Sequence, residues 1–157
     1  MNGIARKNIN EILDFTIEQS EGSTNRYILF YNTTDRQGLK RFLLSLIEQE
    51  KEHAKRLIEL KRAGSPDGIF VQSDSSRIDL GTYRSSKVVR AGSSYAEILS
   101  FIIEQKDLSA KLYNLLESET TNGDVANLSK RLADEDGKQR VMAQDWYDLE
   151  ELRRVQR

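Results

Sequence analysis

Apolar residues recur three and four positions apart through four long segments of this chain, the spacing that lines one face of a helix. The first segment runs over about 8–32, with Leu13, Thr16, Ile17, Ser20, Thr24, Tyr27 and Tyr31 as its inner stripe. The second covers 35–63 and turns Leu39, Phe42, Leu43, Leu46, Glu50, His53, Leu57 and Leu60 inward. The third covers 94–119 and the fourth about 125–154. Three stretches have the capping-box spacing that satisfies free N–H groups where a helix starts: Asn8-Ile9-Asn10-Glu11, Thr34-Asp35-Arg36-Gln37 and Ser94-Tyr95-Ala96-Glu97. Gly64-Ser65-Pro66-Asp67-Gly68 closes the second helix, and Pro66 is the only proline, so the other segments run unbroken. Gly137 weakens the fourth helix.

Between the second and third helices lies a connector, 64–93, rich in Ser and Gly, in which Ile69-Phe70-Val71 suits a short extended piece. It is too long for a tight turn and long enough to cross the length of a bundle. Thr120 to Asp124 is a short turn. The order helix, short turn, helix, long crossover, helix, short turn, helix predicts an all-α antiparallel four-helix bundle, with residues 1–157 as one domain.

The two halves repeat. Residues 11–19 read EILDFTIEQ and residues 97–105 read EILSFIIEQ, an offset of 86. The same offset carries Tyr27 onto Tyr113, Leu46 onto Leu132, and Asn8 onto Ser94. Two copies of one helical hairpin predict a pseudo-two-fold bundle, in which each position is checked against its partner.

Composition narrows the chemistry. Net charge is −1, with 24 basic and 25 acidic residues, which gives no electrostatic reason to expect nucleic acid or an anionic membrane as a partner. No cysteine is present, which excludes disulfides and thiolate metal sites and suits a cytoplasmic protein. The first residues hold no apolar run of signal-peptide length, and no stretch is apolar enough to span a bilayer. Nothing resembles a nucleophile triad or a phosphate-cradling glycine loop.

Glu50 and His53, three residues apart, leave one face of the second helix, and His53 is the only histidine. Such a pair can grip a metal ion from a bundle interior. The stretch Glu50-Lys51-Glu52-His53-Ala54-Lys55-Arg56, after a helix containing Asn25-Arg26-Tyr27, resembles the rubrerythrin branch of the ferritin-like family. The repeated helix pair and long crossover are similar to that family too. The resemblance implies a di-iron bundle that handles peroxide, oxygen or iron and associates as a dimer or larger oligomer. It also implies ligand carboxylates at positions 20 and 106 and a second Glu-x-x-His at 136 and 139. This chain has Ser20, Lys106, Asp136 and Gln139 there.

Lys106 weighs most. An ammonium competes with metal cations by charge and by volume, and it supplies what buried carboxylates need. A polar cluster of Ser20, Glu50, His53, Lys106, Asp136 and Gln139 is therefore expected to replace the metals, with no cofactor and no catalytic turnover. The role expected is binding or assembly. The alternative is a residual metal site in which Glu50, His53 and Asp136 hold one Fe, Mn or Zn ion and act on peroxide or oxygen. Tyr27 and Tyr113 fill the core or, by the resemblance, brace ligands. Glu18 and Glu104 sit about 200° round the helix from the site positions and are expected to face solvent. Glu21 and Asp107 reach inward only if a helix rotates. Trp146-Tyr147 and Phe70/Val71 suit a dimer surface or end-of-core packing. Arg84, Lys87 and Arg90 suit an anion site or a solvated loop.

Overall fold

The computed structural model describes residues 2–63 and 79–156, with side chains from residue 9 onward. Four α-helices carry the chain: α1 (Asn2–Thr33), α2 (Gln37–Ala63), α3 (Tyr95–Glu119) and α4 (Gly123–Gln156). A 3-10 turn, Leu80–Tyr83, precedes α3, and no strand occurs among the described residues. α1 packs along α2 and α3 along α4, and the two pairs meet mainly through α1 and α3. The Ile69-Phe70-Val71 stretch lies outside the described residues.

Two helix starts differ from the sequence reading. α1 begins at Asn2, upstream of Asn8. Asn8 therefore lies within the helix and not at its start. α2 begins at Gln37, and the Thr34 hydroxyl accepts from the N–H of Arg36 at 3.3 Å. That bond spans two residues, a side-chain turn in place of the expected capping box. The Ser94 box does form: its hydroxyl accepts from the Glu97 N–H at 3.1 Å, and Glu97 accepts the Ser94 N–H at 2.8 Å. At the head of α4 the Asn122 side chain accepts from the N–H groups of Asp124 and Val125 at 2.9 and 3.1 Å, the usual use of Asn before a helix.

The apolar core divides into two clusters. One gathers Tyr27, Phe30, Leu39, Phe42, Leu43, Leu46, Ile47, Ile98, Leu99, Phe101, Ile102 and Ala143. The other gathers Ile9, Ile12, Leu13, Phe15, Leu57, Leu112, Tyr113, Leu116, Leu132 and Ala133. The repeat offset exchanges them. Ile12, Leu13 and Phe15 of the second cluster match Ile98, Leu99 and Phe101 of the first; Tyr27 and Leu46 of the first match Tyr113 and Leu132 of the second. The pseudo-two-fold therefore lies between the clusters.

The described part of the connector runs from one cluster to the other. Leu80 and Tyr83 pack against the second cluster, Val89 and Tyr95 against the first. Glu104 fastens this strap to α3: it accepts from the Ser85 hydroxyl and from the Ser86 N–H at 3.0 Å, with the Lys87 ammonium at 3.9 Å. Glu104 is thus half-buried rather than free in solvent, while its repeat partner Glu18 is exposed and meets Arg84 at 3.4 Å. Arg84 also lies over the Phe15 ring at 4.7 Å. Trp146 and Tyr147 are half-buried against the first cluster, with the Trp146 ring 4.9 Å from Phe42.

Candidate functional site

Between the two apolar clusters, each helix contributes polar side chains at its midsection. α1 brings Ser20, Ser23 and Thr24; α2 brings Glu50 and His53; α3 brings Lys106; α4 brings Asp136. All are buried, and Lys106 and Asp136 have no accessible surface. Helical spacing puts them there, since each continues the inward stripe that supplies apolar residues one turn away on either side. Serine and threonine on α1 satisfy themselves partly within the helix, as where the Thr24 hydroxyl donates to the Ser20 carbonyl at 2.9 Å.

Lys106 is the hub. Its ammonium donates to Glu50 Oε1 at 2.6 Å and to Asp136 Oδ1 at 3.2 Å. Burial alone would lower the Lys106 pKa, but Asp136 and Glu50 together hold it well above the ordinary lysine range. The Tyr27 ring adds a face 5.8 Å from the same nitrogen. Two carboxylates share one ammonium, and burial pushes the Asp136 pKa up against the pull of Lys106. Asp136 Oδ2 is buried with no hydrogen-bond partner.

His53 extends the network to the surface. Its Nε2 is 2.7 Å from Glu135 Oε2, on a residue with more than a third of its side chain exposed. Its Nδ1 is 3.5 Å from the Tyr113 hydroxyl and 4.0 Å from Asp136 Oδ1. The network closes when Nε2 donates to Glu135 and Nδ1 accepts from Tyr113. Burial drives the Tyr113 pKa well up, although a hydrogen bond with Ser20 opposes this, so the phenol stays protonated and can donate. Tyr27, its repeat partner, has a buried hydroxyl with no partner, and burial raises its pKa strongly.

The sequence reading did not single out Glu135 as the partner of His53. The signal was present in the repeat: Glu135 is the counterpart of Gln49, and the two side chains meet at 3.5 Å. Contact between equivalent positions marks where the pseudo-axis passes. Gln139, expected in the cluster, makes no hydrogen bond to it among the described residues; its Oε1 is buried and unpartnered. Glu21 is exposed, and Asp107 pairs with Lys111 at 3.0 Å on the surface of α3.

Glu50, His53 and Asp136 each place a ligand atom within 4.8 Å of the others. A dinuclear centre nevertheless does not fit. Lys106 Nζ lies within hydrogen-bond distance of both carboxylates, the place a bridging cation would need. Ser20 and Gln139 stand where the family resemblance implies a carboxylate and an imidazole, and neither supplies such a ligand. No helix among the described residues is long and apolar enough to cross a membrane. No protein-family model, curated protein or solved structure matches the chain, so the site is read on its own geometry.

Proposed function

We propose that this protein is an antiparallel four-helix bundle of ferritin-like, rubrerythrin-related ancestry whose metal centre has been replaced by a lysine. It works by binding or assembly, including association with its own copies, and not by redox turnover. The observation that carries this reading is the Lys106 ammonium between Glu50 and Asp136, at 2.6 and 3.2 Å. A buried ammonium held above its ordinary pKa by two carboxylates is not available as a base or nucleophile near neutral pH. It supplies the positive charge that would otherwise come from metal.

A second reading keeps one ion on Glu50, His53 and Asp136. It is favoured by the Glu135 carboxylate on the far nitrogen of His53 at 2.7 Å, the orientation that outer carboxylates give to metal-bound imidazoles. Such an ion would act as a Lewis acid or a redox centre, with His53 and the two carboxylates as its protein ligands and Lys106 displaced from between them.

Elemental analysis of protein grown in metal-rich medium separates the two. The lysine reading expects no stoichiometric iron, manganese or zinc. It also expects the variant Ser20→Glu/Lys106→Glu/Asp136→Glu/Gln139→His to bind about two metal ions while keeping its helical signal. Stoichiometric metal in the unaltered protein would overturn it. A folded variant that binds none would overturn the assignment of ancestral ligand positions.

A further inference from the structure

Along the outward side of α4, Val141, Met142, Leu149, Leu152 and Val155 are 47–81% exposed. Val141, Leu152 and Val155 lie across the helix from buried Ala143, and Leu149 lines a groove beside Trp146, which packs against the first cluster. The repeat supplies a control for this face. At the same structural positions α2 carries Lys55 for Val141, Arg56 for Met142 and Glu59 for Asp145, an ordinary solvated surface. At positions 141 and 142 one half of the repeat carries charge where the other carries large apolar side chains, and Leu149 stands where α2 has the smaller Ala63. Such side chains in a run along one helix mark an interaction surface.

The charges flanking this run indicate what covers it. Asp145 lies one turn before Leu149 and Arg153 one turn after it. Neither has an ion pair among the described residues; the pairs nearby are Arg154 with Glu151 at 3.5 Å and Arg36 with Glu150 at 3.4 Å. A helix with opposite charges at equal spacing on either side of a leucine is complementary to itself when reversed. We infer that α4 pairs with α4 of a second copy, antiparallel, about a two-fold axis at Leu149. Asp145 of each chain then meets Arg153 of the other, and Met142 and Leu152 close over the leucines. An interface of this kind is isologous, so one patch serves both sides.

The inference takes up the self-association part of the proposed function. Oligomeric state and metal content are separate readouts, so either claim can fail without the other.

The test uses the full chain, which has no cysteine. Sedimentation of the unaltered protein is expected to show a dimer. Leu149→Glu, at a half-exposed position, is expected to give a monomer with unchanged helical signal. Asp145→Arg should weaken dimerisation on the order of tenfold or more, and Asp145→Arg/Arg153→Asp should restore it, as reciprocal interfacial pairs do. Leu149→Cys should form a disulfide dimer under mild oxidant, whereas Val88→Cys, 85% exposed on the connector, should not. A protein that is monomeric throughout, or a dimer indifferent to Leu149→Glu, would overturn the proposal. Failure of the charge swap to restore a dimer that Asp145→Arg has broken would overturn the antiparallel register.

Discussion

Removing the Lys106 ammonium would leave Glu50 and Asp136 facing each other inside the bundle without the cation that now lies between them. Loss of one partner from a buried ionic group costs about 3–5 kcal/mol, because the remaining charge is uncompensated. Lys106→Met is expected to lose that much at pH 7 in urea unfolding. The deficit should shrink toward pH 4, for a reason of sign. Burial already raises Asp136 above its ordinary 3.8, and Lys106 is the main opposing influence, so the substitution raises it further. A carboxyl with a raised folded pKa contributes stability that is complete below the unfolded value and lost as pH rises through the folded one. The variant therefore regains stability as acid protonates Asp136. In the unaltered protein the lysine contributes in the same sense, its stability present below 10.5 and lost only as pH rises through its raised folded value. A deficit independent of pH would mean that packing, and not charge, is what Lys106 supplies. The residue scale is also where sequence reading goes furthest and then stops. The family resemblance, carried through the repeat, points to positions 20, 50, 53, 106, 136 and 139, and Gln139 is the one with no hydrogen bond to the cluster among the described residues. Resemblance and repeat do not reveal that His53 turns outward to Glu135, because a single helix period does not say which of two adjacent acidic residues an imidazole will reach.

Helices were legible where the chain carries a local start signal and less so where packing sets the boundary. Ser94 and Glu97 form their reciprocal bonds, because nothing tertiary competes at an exposed helix start. Asn8 has the same spacing, but α1 is already helical by Asn2, so Asn8 lies inside the helix, where a capping preference does not act. The two kinds of position respond differently to substitution. Ser94→Ala is expected to cost about 1 kcal/mol through the lost cap. Gly137→Ala is expected to gain about 1 kcal/mol, since a Cβ there meets nothing within 4 Å and the helix interior disfavours glycine. For a chain of this length each corresponds to a shift of about 2–4 °C in Tm, in opposite directions. Thermal melts of the two variants and of their combination check both, and the sites are far enough apart on separate helices for the effects to cancel. A destabilised Gly137→Ala would show that the face it occupies is approached by another chain more closely than a methyl allows.

At the scale of the molecule, the polar layer poses a question of cooperativity, because it separates two apolar clusters that might melt independently. The composition of the clusters argues against that. The first takes Leu43 and Leu46 from one hairpin and Ile98, Leu99, Phe101 and Ile102 from the other; the second takes Leu13 and Leu57 from one and Leu112, Leu116 and Leu132 from the other. Neither hairpin completes a cluster alone, and Lys106, Glu50 and Asp136 tie α2, α3 and α4 together between them. The single tryptophan gives a direct reading, for Trp146 packs against Phe42 in the first cluster. Leu132→Ala empties a fully buried site in the second cluster and should cost about 2–5 kcal/mol. If the bundle unfolds as one unit, Trp146 fluorescence and helical circular dichroism must shift together in that variant, although the lesion lies beyond the polar layer from the probe. Leu46→Ala, at the repeat-equivalent position inside the first cluster, should then move both signals by a similar amount. Dichroism that falls in two steps in Leu132→Ala, with Trp146 following only the later one, would mean that the charged layer insulates the two apolar clusters and that each melts as its own unit.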